Sequence, residues 1–408
     1  MAVTLTDLES WIDNAMIQEG ISNYKLDVSG NSIKGDGYLG EVTFVKVTTK
    51  LGMVKDKDIY LVVKSAKKSD ELRKQTPVKE AYEREIFMYT KVMPIFREFQ
   101  KECALEAPFN KFARCFSASN ENKREVLIME NLKMTGFEVH DRRQPQNLNH
   151  ALLVFRSYGS LHAISLAMRI RKPALFKSLT KNMTDVMGKL LTQTNIFPVL
   201  TKGFETVIDI LKDSGKNELA DKCEGLKNGL EEYLTKYCDP NSPQSVILHG
   251  DCWNNNMMFK YEDGNRIQPV DMRFIDFQLS RVASPILDLS YYLYSCADKT
   301  VLDHFDFLLQ AYHTSLSDSL KELGCNVDEI LTYNELKQQW KKYGRYGLAL
   351  TPLIIKIELC QSDEVVDFAE SAEKGERLDG LFDFTLQDQG EYEKRLLEVF
   401  SHFGEKFL

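Results

Sequence analysis

Two short stretches decide the fold of this chain: His249-Gly250-Asp251-Cys252-Trp253-Asn254-Asn255-Asn256 and Phe274-Ile275-Asp276-Phe277. The first places a carboxylate and a side-chain amide five residues apart in one loop, and the second ends an apolar strand with another carboxylate. Transfer of a γ-phosphoryl group needs a carboxylate beside the acceptor hydroxyl and oxygen ligands for the bridging magnesium ion. The pattern therefore predicts Asp251 as the catalytic base and Asn256 and Asp276 as Mg2+ ligands.

The flanking sequence predicts the backbone that would hold these groups. Residues 246–248, 257–261 and 273–275 are apolar runs typical of strands, and residues 262–265 have the composition of a turn. Both active segments would then emerge on one side of a hairpin.

A glycine-rich segment, Gly35-Asp36-Gly37-Tyr38-Leu39-Gly40, lies between two extended segments at residues 26–33 and 41–49. A dinucleotide-binding fold needs a helix directly after such glycines, but residues 41–49 are rich in β-branched side chains. The segment is therefore predicted to be a flap between strands, with Gly35, Gly37 and Gly40 over the phosphates of ATP.

Lys64 ends the next strongly apolar strand, where the simplest interpretation is a solubilising charge. The functional interpretation has Lys64 contacting the α- and β-phosphates while an acidic residue on a following helix holds it. We expect that helix to begin at Pro77 and to end at Pro94. Within it Glu85 lies on the apolar stripe, so we predict Glu85 as the partner and Glu83 as the second choice.

Two more strands are predicted at residues 111–118 and 125–129, and the apolar run stops at Glu130 and Leu132. From this position we predict that Glu130 and Leu132 meet the adenine. The expected fold class is α+β: a bilobal protein-kinase-like fold with an antiparallel sheet and a helix at residues 1–132 and a larger, mostly helical lobe at residues 133–408. Long amphipathic stretches support a helical second lobe at residues 150–168, 173–192, 203–237 and 301–323.

Taken together, these motifs resemble the protein-kinase-like small-molecule kinases of the choline kinase and aminoglycoside phosphotransferase group, and most closely the insect ecdysteroid kinase-like family. The resemblance covers nearly the whole chain and rests on Tyr82 to Pro94 with Glu85 and Tyr89, Leu161-His162-Ala163, His249 to Asn256, Asp276-Phe277-Gln278, Pro285 and Asp288-Leu289. It makes His162 a family hallmark. We expect His162 and His249 to pack or orient the catalytic loop rather than to carry phosphate.

Three departures separate the chain from a protein kinase. Trp253 stands where the corresponding protein-kinase loop carries lysine, and Gln278 follows Asp276-Phe277 in place of a flexible glycine. Asp288 follows Asp276 by only twelve positions, which leaves no room for a long activation segment. A small acceptor and a constitutively formed site are therefore predicted.

The identity of the acceptor is the part of the function that the sequence constrains least. Between Phe277 and Ala297 the only acid is Asp288, and most other residues are apolar or aromatic. Helix core is the simpler interpretation of that run, but it also favours a lipophilic alcohol, either an ecdysteroid or a phenolic xenobiotic, over a cation that needs carboxylates or an aromatic cage. Two alternatives remain open: a kinase for choline-like amines or sugars, and a catalytically inactive kinase fold that binds small molecules.

Composition limits the remaining possibilities. The net charge of −8, from 52 basic and 60 acidic residues, argues against a nucleic-acid partner. The eight cysteines are scattered without C-x-x-C pairs, and we expect reduced thiols, with Cys252 not a nucleophile. The N-terminus does not resemble a signal peptide, and no segment is expected to span a membrane. The cytoplasm is the expected location, and no obligate protein partner is predicted.

Overall fold

The computed structural model describes residues 4–31, 39–49, 57–262, 264–361, 368–382 and 384–408. Its N-terminal part combines a five-stranded antiparallel sheet, in the order β1-β2-β3-β5-β4, with helices on both faces. The elements are α1 Leu5–Gln18, β1 Tyr24–Asn31, β2 Gly40–Thr49, β3 Lys57–Ala66, α2 Asp70–Gln75, α3 Val78–Phe87, α4 Met93–Glu102, β4 Cys115–Ser119 and β5 Val126–Glu130.

Alternation along the strands sorts their side chains onto the two faces of this sheet. Leu61 and Val63 of β3 join the small core beneath α1, whereas Ala66 belongs to the large core on the side of α3. Because successive strand residues point to opposite faces, Lys64 shares the face of Ala66. The strand pattern thus directs the lysine toward α3.

The helix predicted between Pro77 and Pro94 does not end at Pro94. A single π-helical turn, Met88–Val92, joins α3 to α4, and Pro94 lies in the first turn of α4. The N–H of Met93 bonds to the carbonyl of Met88, so the hydrogen-bond ladder shifts by one residue there. Proline is tolerated in a first helical turn, which explains why the helix continues to Glu102.

The larger C-terminal part is mostly helical. Its strands are β6 Phe137–Val139, β7 Val246–Ile247, β8 Met257–Tyr261, β9 Pro269–Phe274 and β10 Val282–Ala283. Its helices are α5 Leu148–Arg171, α6 Pro173–Thr180, α7 Val186–Gln193, α8 Phe197–Asp213, α9 Asn217–Asn228, α10 Leu230–Thr235, α11 Ile286–Cys296, α12 Lys299–Leu302, α13 Phe305–Glu322, α14 Tyr333–Tyr343, α15 Arg345–Leu359, α16 Phe368–Glu373 and α17 Gln389–Phe407.

This architecture is a bilobal kinase-like fold, so the predicted fold class is confirmed. Between β5 and β6 the chain leaves the five-stranded sheet through a 3-10 turn, Leu132–Thr135, and joins the second sheet, where β6 pairs with β8. We propose that the lobes divide there, at residues 1–132 and 133–408.

Several predicted elements are shorter than their sequence pattern. The stretch 203–237 breaks where Gly215 adopts a left-handed conformation (φ 74°), a common helix terminator, and 173–192 breaks between α6 and α7. The strand predicted at 111–118 begins only at Cys115, because Phe112 pairs with Phe274 of β9 in the other lobe instead. Amphipathic periodicity located the helices but did not reveal where the chain turns.

Helix α5 is long and apolar enough to cross a bilayer, which the sequence pattern did not lead us to expect. However, 78% of the most apolar stretch of this helix is buried inside the protein. It packs against α13, β7 and β9. Its hydrophobicity is therefore accounted for by the core of the helical lobe.

Candidate active site

Lys64, Glu85 and Asp276 form one ionic cluster between the lobes. The Lys64 ammonium lies 2.7 Å from Glu85 Oε2 and 3.0 Å from Asp276 Oδ2. The second-choice residue Glu83 is instead partly exposed and lies 3.7 Å from Lys79. The structure thus brings together Lys64, Glu85 and Asp276 from β3, α3 and the segment after β9.

Burial dominates the electrostatics of this cluster. Burial raises the pKa of Glu85 to about 7, although the Lys64 ammonium opposes the rise. Burial alone would lower the pKa of Lys64, but the carboxylates of Asp276 and Glu85 outweigh it and raise that pKa. One cation between two carboxylates leaves the cluster with a deficit of positive charge, which a divalent cation would relieve.

Gly40 is the glycine of the predicted flap that lies in the described residues; Gly35 and Gly37 lie outside them. It opens β2 opposite Ala66 of β3. A Cβ atom at this position would lie 1.8 Å from the Tyr82 hydroxyl oxygen and 2.8 Å from the Ser65 carbonyl oxygen. Glycine is therefore required sterically here, because the α3 side chain packs directly beneath the strand.

The loop that carries Asp251 is held from below by one buried carboxylate. Asp288 of α11 accepts the backbone N–H of His249 at 2.8 Å and that of Gly250 at 2.9 Å. His162 of α5 lies 3.2 Å from the same carboxylate. His162 thus reaches the loop through Asp288, and its orienting role remains a prediction.

Gly250 allows the turn that presents Asp251. Its φ of 90° is in the left-handed region, and a Cβ there would lie 2.2 Å from the Leu279 carbonyl oxygen. His249 fixes the next step, because its Nδ1 accepts the Asp251 N–H at 3.2 Å while its Nε2 lies 2.9 Å from the Ile275 carbonyl oxygen. That pattern requires a neutral ring with the proton on Nε2, and burial lowers the pKa of His249 accordingly.

Asp251 sits in a small hydrogen-bonded network. Its Oδ2 accepts the amide of Asn256 at 2.7 Å and its Oδ1 accepts the Tyr291 hydroxyl at 3.0 Å. Burial and the nearby Asp276 carboxylate raise the pKa of Asp251 to about 7. A carboxylate with a pKa near neutrality, aimed into a cleft, has the properties of a general base.

The residues predicted to bind metal offer a donor set that fits Mg2+. Asp276 Oδ1 is buried and has no hydrogen-bond partner among the described residues. Asn256 directs its amide nitrogen to Asp251, which leaves its carbonyl oxygen to face elsewhere. Mg2+ is commonly held by one or two such oxygens together with nucleotide phosphates. The backbone of Asp276 is itself unusual, with φ 65° in a non-glycine residue.

Glu130 and Leu132, predicted at the adenine edge, lie where the sheet ends. The Glu130 N–H bonds to the Arg114 carbonyl at 2.8 Å, and Leu132 is buried at the start of its 3-10 turn. Their contact with a nucleotide remains a prediction.

A mostly apolar cavity of about 190 Å³ opens beside Asp251 and Asp276. Gly40, Val42 and Lys64 of the N-terminal part line it together with Asp251 and Asn256, and much of the remaining wall comes from Met187, Leu190, Leu191, Leu350, Ile354 and Phe382. A wider groove of about 1000 Å³ shares Leu353 and Phe382 with it. We call the smaller space the acceptor cavity.

Sequence reasoning did not find most of this wall. The run between Phe277 and Ala297 is largely buried core of α11, as the simpler interpretation had it, with Leu279 and Tyr291 reaching the acceptor cavity. Tyr291 follows Asp288 by three residues, so both lie on one helix face, and this spacing could have indicated its role. Helices α7 and α15 carry no local signal, because only tertiary packing brings them to Asp251.

Similarity to known proteins agrees with this geometry. The sequence model of the ecdysteroid kinase-like family matches residues 34–325. The chain belongs to the ecdysteroid kinase-like family. The family resemblance stated above is thereby confirmed, and this ecdysteroid kinase-like protein is a small-molecule phosphotransferase that acts on hydroxyl groups.

Solved structures similar to the ecdysteroid kinase-like chain include an aminoglycoside 2'-phosphotransferase-IIIa variant bound to GDP, at 13% identity and a TM-score of 0.41, covering 86% of this chain and 97% of that one. A glucosamine kinase in complex with glucosamine, ADP and inorganic phosphate is similar at 10% identity and a TM-score of 0.27, covering 94% and 98%. No curated protein matches the chain.

Proposed function

We propose that this ecdysteroid kinase-like protein transfers the γ-phosphoryl group of ATP to a hydroxyl of a lipophilic alcohol, such as an ecdysteroid or a phenolic xenobiotic. The observation that carries the proposal is the apolar acceptor cavity, which opens directly beside the network around Asp251. Cavities that bind small molecules are mostly apolar with a few placed polar groups.

Each predicted residue has a role in this reaction. Lys64, held by Glu85, would contact the ATP phosphates beneath the flap that ends at Gly40. Asn256 and Asp276 would hold Mg2+, whose bound form neutralises charge on the β- and γ-phosphates. Asp251 would orient the acceptor hydroxyl and accept its proton late, because the transition state is loose.

A cationic acceptor fits the acceptor cavity less well. Among its described wall residues the acids are Asp251 and Asp276, and both are assigned to the reaction itself. A choline-like or aminoglycoside-like cation would need further carboxylates or an aromatic cage. The cavity wall therefore favours the lipophilic class over the cationic one.

An inactive binding protein is the second alternative. Against it stands the spatial assembly of five chemically matched residues, Lys64, Glu85, Asp251, Asn256 and Asp276, in one cleft. Thermal stabilisation by ATP that depends on Mg2+ would distinguish an active site from an inactive one. A protein that ATP and Mg2+ do not stabilise would contradict the proposal.

The direct test is an acceptor screen with labelled ATP, in which sterol and phenolic alcohols are compared with choline, glucosamine and aminoglycosides. Ile354→Asp places a charge in the apolar wall and should raise KM for lipophilic acceptors at least about tenfold, with KM for ATP unchanged. Ile170→Asp, at an exposed isoleucine of α5, is the matched control. Preferential phosphorylation of the cations or sugars would refute the proposed acceptor class.

A further inference from the structure

One buried polar group in the acceptor cavity has no protein partner. The Gln278 side chain lines this cavity and is only 7% exposed, and its Nε2 makes no hydrogen bond within the described residues. An unpaired buried amide costs about 1–3 kcal/mol and is rare in native proteins. A group kept in that state is a candidate for binding a ligand.

The residues on both sides anchor the backbone of Gln278. The preceding Phe277 ring is fully buried, with its centroid 5.9 Å from that of Tyr89 and 4.6 Å from that of His249. The carbonyl oxygen of the following Leu279 packs against Gly250, and a Cβ atom added to Gly250 would lie only 2.2 Å from it. Gln278 is thus fixed beside the loop that presents Asp251.

Several other polar groups of the cavity already have partners. Asp251, Asn256 and Tyr291 hydrogen-bond to one another, and Thr194 donates its hydroxyl to the Leu190 carbonyl of its own helix at 2.7 Å. Lys64 is held by its two carboxylates. The Gln278 amide therefore differs from these neighbours in having a donor to offer.

We propose that Gln278 is a specificity-determining residue whose Nε2 donates a hydrogen bond to a second oxygen of the acceptor, close to the hydroxyl that is phosphorylated. The preferred substrate would then be a lipophilic vicinal diol or hydroxy ketone, not an isolated alcohol. This inference rests on the proposed function and narrows its substrate class. Gln278 takes no part in bond making or breaking; it binds and orients the acceptor.

The expected selectivity follows from the unpaired donor. A site built to hydrogen-bond a substrate oxygen discriminates against the analogue that lacks it, because the buried donor is then left unsatisfied. For one neutral hydrogen bond we expect a preference of at least about tenfold in kcat/KM. An apolar side chain in place of the amide has no buried donor to leave unsatisfied, so the preference for the acceptor with a second oxygen should disappear.

The test compares two acceptors that differ by one hydroxyl, phenylethylene glycol and phenethyl alcohol, with labelled ATP. The wild-type enzyme should favour the glycol by at least about tenfold, whereas Gln278→Leu and the length-matched Gln278→Met should phosphorylate both about equally. In these variants the thermal shift with ATP and Mg2+ should be retained. Gln310→Leu, at an exposed glutamine of α13, is the matched control.

The outcomes separate the inference from the proposed function. Equal use of the two probes by the wild-type enzyme, or an equal loss of both activities in Gln278→Leu and Gln278→Met, would overturn the inference and leave the kinase assignment standing. No turnover of either probe by a wild-type protein that ATP and Mg2+ still stabilise would overturn the lipophilic acceptor class, and the inference with it.

Discussion

Asp251→Asn tests the assigned base most directly, because the structure allows the change without disturbing the fold. An asparagine can keep its oxygen toward the Asn256 amide and turn its own amide toward the Tyr291 hydroxyl, which accepts as well as donates. The network survives, but no group remains to take the acceptor proton. We expect kcat to fall about 10²–10⁴-fold, the usual contribution of a positioned acid–base group, with ATP binding largely kept.

The pH dependence gives a second, independent readout. Because the pKa of Asp251 is raised to about 7, wild-type kcat/KM should rise with pH through about 7 and then level off. The residual activity of Asp251→Asn should lack that rise. Labelled-ATP kinetics between pH 5.5 and 9, about two pH units either side of that pKa, with an acceptor from the screen, would measure both effects.

The same pKa shift predicts that the Asp251→Asn variant is more stable than the wild-type protein above about pH 7. A carboxylate whose folded pKa lies above its unfolded value of 3.8 loses stability as the pH rises from about 4 to about 7, and the full cost is present above 7. A shift of about three units corresponds to an upper bound of about 4 kcal/mol. Nucleotide-free Asp251→Asn should therefore unfold at higher denaturant concentration than wild type at pH 8, a condition about one unit above that pKa.

The surface variant Asp221→Asn, at an exposed carboxylate of α9, should change neither rate nor stability. Full turnover by Asp251→Asn, or an unchanged pH profile in that variant, would show that another group is the base.

Three further variants test the rest of the site. Asp276→Asn should abolish the Mg2+-dependent part of thermal stabilisation by ATP, and an unchanged shift in differential scanning fluorimetry would exclude Asp276 as a metal ligand. Gly250→Ala should destabilise the protein by at least about 2 kcal/mol in urea unfolding, since the new Cβ meets the Leu279 carbonyl at a left-handed backbone position; a smaller loss would mean that the loop relaxes easily. Asp288→Asn should lower the free energy of unfolding by about 3 kcal/mol, because it removes the charge that holds two loop amides. It should also lower kcat with little effect on KM for ATP, and wild-type kinetics in this variant would contradict the positioning role.

Local patterns predicted the parts of the molecule whose cause is local. The alternation in β3 that turns Lys64 toward α3, and the apolar stripe that carries Glu85, are both visible in sequence, and the structure joins these two residues at 2.7 Å. The end predicted at Pro94 was wrong, because a π-helical turn shifts the hydrogen-bond ladder and makes room for proline in a new first turn. Such a turn depends on packing and has no simple sequence signature.

Long-range packing forms most of the acceptor cavity, and the sequence did not predict which helices line it. Leu190 and Ile354 are far apart in the chain and lie on different helices, yet both line the acceptor cavity. Each apolar residue has the periodicity of ordinary helix core. The sequence therefore indicated the reaction type, which depends on a compact motif, more firmly than the substrate, which depends on the folded wall.

The contacts between the lobes explain how such a site can be assembled without an activation segment. Arg84 of α3 donates to the Ser280 and Thr184 carbonyls, and so links the helix that bears Glu85 to the segment after Asp276 and to the start of α7. Gln75 of α2 also bonds with both ends of its amide to the backbone at Glu376 and Leu378. These direct bonds join α2 and α3, the helix that bears Glu85, to the helical lobe.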